Sequence, residues 1–317
     1  KKLIKSNGKK KVVLVGIAGS NNAFSLSLYN LKAYAYQNLT VKDCWDIDVI
    51  QHPLINPGQS FNKRILSDLS KKIISKRPYL IGFSCYMWNL DSFLKIAEII
   101  KKKLPSTKIL LGGPEIATEY VQNSHFDKYP IDYCISGEGE LTFLELLLNL
   151  ENNNPSINDI SGLSHRNDQN SKFIVNSKRQ PFRSLSEIPS PFLGGIVDEE
   201  VLARNNVEAN LETQRGCNLR CSYCIYHKDM SKISYSSTDR TIEEVRFVIN
   251  KGVKDIRFVD ANFSSSLDHA KTVMRGLIHE RFETRLMFEL IPGFIDEELA
   301  QLIGDFNSLH DWNQTTL

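Results

Sequence analysis

The chain lacks any apolar run approaching the roughly 20 residues needed to cross a bilayer. It also lacks an excess of charge: 39 Lys and Arg oppose 37 Asp and Glu, for a net charge of +2. A balanced chain has no basic field to attract nucleic acid, so neither nucleic acid nor a membrane is expected as a partner. The basic runs Lys9–Lys11 and Lys101–Lys103 are short and read as solvated faces. No P-loop occurs, and the first glycine-containing turn reads GIAGSNN where a dinucleotide site needs G-x-G-x-x-G. The start, KKLIKSNGKKKVVLVGIAGS, is basic and then apolar like a signal peptide, yet KKVVLVGIAGS reads better as a buried strand running into a turn. A cytoplasmic location is therefore expected. Of six cysteines, Cys44, Cys85 and Cys134 are scattered in or beside apolar strand-like runs and read as buried free thiols.

What is present begins with an alternation. Strand-like runs at 11–17, 45–51, 79–85, 108–111 and 133–136 are separated by helical stretches. The clearest helix is NLDSFLKIAEIIKKKLP, residues 89–105, with Asn89 as a candidate cap and Pro105 as its stop. Five strands alternating with helices predict an α/β fold with a doubly wound parallel sheet, whose ligands bind beyond the carboxyl ends of the strands. Three segments lie at such ends. They are SCYMWN with Ser84 and Trp88, GGPE with Gly112, Gly113, Pro114 and Glu115, and GEGE with Gly137, Glu138, Gly139 and Glu140. Glycines there let backbone approach a bulky ligand, and the free N–H groups after GEGE could hold a polar ligand edge. Plain tight turns are the alternative reading.

Residues 151–160 form a polar break, followed by a short hairpin and the proline-rich linker PFRSLSEIPSPF. The expected organisation is a first domain over 1–150, a hairpin and linker over 151–200, and a second domain over 201–317. In that second domain, strand-like runs at 211–215, 255–259 and 285–290 alternate with helices. One helix, TIEEVRFVINKG, carries a capping-box pattern at Thr241 and Glu244. Chemistry in such βα folds sits at strand carboxyl ends, where Cys217, Asp260 and Glu289 fall.

Cys217, Cys221 and Cys224 stand at C-x3-C-x2-C with no fourth cysteine after them. Structural zinc wants four ligands, which His227 could complete. A redox pair of Cys221 and Cys224 would leave Cys217 idle. A four-iron cluster on three thiolates leaves one iron open, as a reactive site needs.

The stretch QRGCNLRCSYC, with the aromatic Tyr223 before its last cysteine, resembles the signature of the radical S-adenosylmethionine (SAM) enzymes. SCYMWN, LGGPE, SGEGELTFLELL and LSEIPSPF, in that order before it, are similar to the cobalamin-binding subclass. The likeness spans about residues 11 to 300. It implies a Rossmann-like cobalamin domain followed by an incomplete (β/α) barrel, with Cys217, Cys221 and Cys224 holding a [4Fe-4S] cluster that binds SAM. It further implies Trp88 near the corrin face, the glycine turns near its edge and tail, and Asp260, Asn262 and Glu289 lining the SAM site; a helix cap or loop hydrogen bond is the alternative for each of these three. The corrinoid motif D-x-H-x-x-G is absent and His52 has the wrong spacing, so cobalt is expected without a protein histidine.

The reaction implied is methyl transfer to an unactivated carbon. A small-molecule or peptide substrate and an electron donor such as flavodoxin or ferredoxin complete the expectation. Only three of the six βα units of the family's radical domain are legible, and the tail NSLHDWNQTTL reads as neither strand nor helix. A fragment, a natural short form and a degenerate relative all fit that shortfall. A non-catalytic corrinoid-binding protein, a zinc-stabilised module and a tRNA methylthiolase are the rival functions.

Overall fold

The computed structural model describes residues 8–17, 24–52, 63–167, 172–203, 207–224, 232–280, 283–309 and 315–316. The chain divides into two units, Lys1–Gly19 with Tyr34–Arg179, and Ser20–Ala33 with Gln180–Leu317.

The first unit is built on a seven-stranded sheet of order β2-β1-β3-β4-β5-β6-β7. Its strands are β1 (Lys10–Ile17), β2 (Trp45–His52), β3 (Leu80–Ser84), β4 (Lys108–Gly112), β5 (Tyr133–Ile135), β6 (Leu163–Arg166) and β7 (Phe173–Val175). The first five run parallel, at the places the apolar runs predict. Helices cover both faces of a parallel sheet, which is why Val12 to Ile17 form an unbroken buried run. Helix Leu90–Lys103 shows how one face is covered: Phe93, Ile96, Ala97 and Ile100 enter the core, and its lysines end the last turn. Phe93, Ile96 and Ile100 each contribute roughly 1.5–3 kcal/mol by this burial. β1 lies between β2 and β3, so strand order reverses at the β1/β3 junction, where this fold class binds ligands.

The hairpin, which the sequence assigns to the connecting segment, is part of this first unit. β6 pairs antiparallel with β5, Tyr133 opposite His165, and β7 closes the edge. The linker after it is not simply extended. Ser184 and Glu187 form a capping box on a 3-10 turn, Leu185–Glu187, and Leu185, Ile188 and Phe192 are buried.

The second unit carries β8 (Glu208–Leu211), β9 (Gln214–Arg215), β10 (Ser234–Tyr235), β11 (Asp255–Phe258), β12 (Arg285–Met287) and β13 (Thr315–Thr316). Four of these make a parallel sheet of order β13-β12-β11-β8, while β9 and β10 form a separate antiparallel pair. Helices Thr238–Asn250, Leu267–Ile278 and Glu297–Leu309 follow successive strands, giving the expected start of a βα barrel. Two local expectations change. The tail does contain a strand, because Thr315 and Thr316 pair with Leu286 and Met287. The helix after β10 is capped four residues earlier than the Thr241 pattern predicts: Ser237 accepts the Arg240 amide, leaving Thr241 and Glu244 inside the helix and buried. Among the described residues, no helix is long and apolar enough to cross a membrane.

Candidate functional site

At the carboxyl rim of the first sheet, Trp88 is 43% exposed and Met87 is 81% exposed, although both neighbours of this stretch, Cys85 and Asn89, are buried. The Trp88 ring stacks on Tyr86, centroids 4.6 Å apart and planes 14° apart, and its Nε1–H donates to the Ile17 carbonyl at 3.2 Å. Asn89 precedes the helix but does not cap it. Its side chain is spent on the rim instead, on Tyr86, Ser84 and Ile17. Ser84 ends β3 half-buried. Gly112 ends β4 and Gly113 follows it, and the Cys85 amide donates to the Gly112 carbonyl at 2.6 Å. Gly113 has φ +99°, and a Cβ there would lie 2.6 Å from the Cys85 carbonyl oxygen, so the two turns are packed backbone to backbone. Pro114 is exposed and Glu115 half-buried beside them.

After β5, Gly137 is exposed at φ +80° with open space where a Cβ would be. Gly139 precedes helix Glu140–Asn152, while Glu138 and Glu140 are buried. The Ser136 hydroxyl is buried at this end without a hydrogen-bond partner among the described residues. An exposed aromatic plate after β3, with an unfilled glycine turn and an orphaned hydroxyl after β5, one strand beyond β4, fit a large flat ligand with polar edges.

In the second unit, Gly216 joins β9 to the cysteine loop. Its φ is +106°, and a Cβ would lie 2.1 Å from the Lys232 carbonyl oxygen, so only glycine fits between the β9–β10 pair and Cys217. Gly216→Ala is therefore expected to cost more than about 3 kcal/mol of stability and to halve iron uptake or worse. Denaturant unfolding and iron assay check both.

Cys217, Cys221 and Cys224 are free, half-buried thiols on that one loop. The Cys224 amide donates to the Cys221 carbonyl at 3.0 Å, making a turn of the last two, and the Leu219 amide approaches Cys217 Sγ at 3.4 Å. Tyr223 is 90% exposed, and its hydrogen bond to Cys221 pushes its phenol pKa up. Among the described residues, no three His, Cys, Asp or Glu side chains are gathered tightly enough to hold a metal. The three thiols thus share a loop without closing on one point. As a donor set they still fit a three-thiolate cluster: soft, free and engaged in no disulfide. His227, the fourth ligand of the zinc alternative, lies outside the described residues.

The residues expected around SAM are placed differently from one another. Asp260 is fully buried below the cysteine loop. Its Oδ1 accepts the amides of Thr213 and Gln214 at 2.8 and 3.0 Å, and its Oδ2 accepts the Thr213 hydroxyl at 2.6 Å. Burial outweighs these hydrogen bonds and pushes its pKa up to about 7. Thr213 Oγ1 lies 3.1 Å from His269 Nε2, and the His269 ring packs on Tyr235. Burial lowers the His269 pKa. Asn262 is buried as well: its Oδ1 caps a 3-10 turn through Ser264, and its carbonyl accepts Gln214 Nε2. Glu289 is exposed and paired with Arg257 at 3.3 Å. Arg215 is engaged by Glu212 at 2.8 and 2.9 Å. Asp260 and Asn262 therefore brace the stem of the cysteine loop; the Glu289 carbonyl accepts the Phe263 amide beside them at 2.8 Å, while its side chain is on the surface. Thr213, His269 and Tyr235 were not legible in the sequence; only the glycine before Cys217 carried a local signal.

Residues 24–147 match the family model of the B12 binding domain, and residues 211–311 match that of the Radical SAM superfamily. The cobalamin-dependent radical SAM methyltransferase TokK of Streptomyces tokunonensis is 28% identical over 271 residues, covering 81% of this chain and 37% of that protein. The 2-(S-pantetheinyl)-carbapenam-3-carboxylate methyltransferase of Streptantibioticus cattleyicolor is 30% identical over 192 residues, 59% of this chain and 28% of that protein. The chain thus spans well under half the length of these relatives. In fold it is similar to the cobalamin-dependent SAM radical enzyme OxsB bound to aqua-cobalamin and SAM, with a TM-score of 0.71 at 18% identity over 95% of this chain and 43% of that one. The radical SAM methyltransferase TsrM from Kitasatospora setae gives 0.70 at 17% identity over 94% and 58%. The cobalamin-type domain and the radical domain expected from the turn motifs and the cysteine spacing are both present, in that order: the chain carries a B12 binding domain followed by a radical SAM domain, as do the cobalamin-dependent radical SAM enzymes it resembles.

Proposed function

We propose that this chain forms the cofactor-binding part of a cobalamin-dependent methyltransferase that cleaves SAM reductively. The observation that carries the reading is the cysteine loop: three free thiols and no fourth, on a stem that only Gly216 can make. Cys217, Cys221 and Cys224 would hold a [4Fe-4S] cluster, with Tyr223 exposed beside them for SAM. Trp88 would face the corrin, with Ser84, the Gly112–Glu115 turn and the Gly137–Glu140 turn about its edge. When bound, the cluster supplies the electron for SAM cleavage and the cobalamin supplies the methyl group.

The chain's own work is to hold and orient these groups. Asp260 and Asn262 fix the loop stem, and β10 braces it from the other side. A small-molecule substrate is in keeping with the carbapenam carboxylate named for one relative. A flavodoxin- or ferredoxin-type donor would supply the electron. A cytoplasmic setting would keep the three thiols reduced.

The test is reconstitution of the full chain without oxygen, with iron, sulfide and hydroxocobalamin. About four irons and about one cobalt per chain are expected, and reductant with SAM should yield 5′-deoxyadenosine. Cobalt uptake without iron would replace this reading with that of a corrinoid-binding protein. Tightly held zinc with neither iron nor cobalt would overturn it.

A further inference from the structure

Asn89 uses both ends of its amide side chain at the rim of the first sheet. It is 1% exposed. Its Oδ1 accepts the Tyr86 amide at 2.8 Å, and its Nδ2 donates to the carbonyls of Ser84 at 3.1 Å and Ile17 at 3.4 Å. Those carbonyls end β3 and β1, the two strands between which the strand order reverses. The Ile17 carbonyl also accepts the Trp88 indole N–H. One amide side chain therefore ties both strand ends to the turn that carries the stacked Tyr86 and Trp88 rings. A helix cap would have satisfied the first helical amides; this asparagine makes no such bond. The helix forgoes its cap, typically worth about 1 kcal/mol, and the side chain instead fixes the turn that carries the half-buried Tyr86 and the exposed Trp88.

We propose that Asn89 is a positioning residue, acting through Trp88 to set the aromatic plate against which cobalamin would bind. The inference rests on the cobalamin reading of the first unit. Without Asn89, the Tyr86 amide and two strand-end carbonyls lose a fixed partner. Among the described residues, the Trp88 ring then keeps its own indole hydrogen bond and its stack on Tyr86.

The test uses the full chain and hydroxocobalamin, titrated by absorbance, with wild type, Asn89→Ala, Trp88→Ala and the double variant. Asn89→Ala is expected to weaken hydroxocobalamin about tenfold, the equivalent of one or two lost hydrogen bonds. The double variant should bind within about twofold of Trp88→Ala alone, because Asn89 has nothing left to position. In the free protein, acrylamide quenching assigned to Trp88 by difference from Trp88→Phe should rise in Asn89→Ala. Asn89→Asp keeps the acceptor for the Tyr86 amide and loses both donors. It should also weaken binding, and it decides the matter if Asn89→Ala does not fold. Binding by the Asn89 variants within twofold of wild type overturns the inference and leaves the cobalamin reading intact. So does a double variant in which the two losses multiply, since that marks a general structural role. A wild-type chain that takes up no hydroxocobalamin overturns the cobalamin reading, and this inference with it.

Discussion

Replacing Cys221 with alanine is expected to abolish iron–sulfur incorporation, and with it reductive cleavage of SAM, while cobalamin uptake is retained. Cys221 is the central thiol of the loop. Its carbonyl accepts the Cys224 amide, so backbone geometry survives the substitution while one ligand is lost. Two thiolates cannot hold a four-iron cluster that draws only three ligands from the protein. Iron should fall from about four per chain to near none, and 5′-deoxyadenosine to background. The cobalt content should be unchanged, because Trp88, Gly113 and Ser136 belong to the other unit. Cysteine chemistry alone would not show this pattern: a zinc site would lose zinc, and a corrinoid-binding protein would show no iron to lose. Retention of the full iron complement in Cys221→Ala would remove this loop from the cluster site.

The second large effect concerns Asp260. Its carboxylate is fully buried and holds two consecutive amides and one hydroxyl at the stem of the cysteine loop. Asp260→Ala leaves the Thr213 and Gln214 amides unpaired in the interior, at a cost of about 3 kcal/mol of stability, and should reduce iron uptake by loosening the stem. Asp260→Asn keeps an acceptor for both amides and removes the charge, so the two variants should diverge.

The pH dependence separates them further. Burial raises the Asp260 pKa from 3.8 to about 7 in the folded chain. A raised folded value means the folded state binds the proton more tightly than the unfolded one. This contribution to stability is present below pH 4 and is lost as the pH rises through 7, a swing of about 4 kcal/mol. Asp260→Asn mimics the protonated form at every pH. Its stability relative to wild type should therefore climb between pH 4 and pH 8, as followed by denaturant unfolding. Parallel pH profiles for wild type and Asp260→Asn would show that the carboxyl titrates normally in the fold.

Much of this was legible from local pattern. The five parallel strands of the first unit were visible because strands buried on both faces must be continuously apolar, as in Val12–Ile17 and Ile109–Leu111. The cysteine loop was visible because cluster ligation depends on spacing along the chain. Glycine turns at strand ends were visible because conformation and close approach demand glycine. Other features were not legible because their partners are remote. The capping-box pattern at Thr241 and Glu244 is local, but both residues pack into the interior and Ser237 caps the helix instead. Thr315 and Thr316 carry no strand pattern; they become a strand only because β12 offers an edge. Asp260 and Asn262 stood out as polar residues at a strand end, but the sequence could not say that they face inward to Thr213 and Gln214, nearly fifty positions earlier in the chain.

Composition and spacing were enough to establish the fold class, the order of the two domains and the three-thiol loop, because each depends on residues within a few positions of one another. Tertiary structure alone decided that the Asn89 side chain bonds Tyr86, Ser84 and Ile17 rather than capping its own helix, and that Asp260 braces the loop stem. The physical reason is that a polar side chain takes whichever partner folding brings within about 3 Å in a place water cannot reach. Chain-local pattern carries no record of a partner seventy residues away.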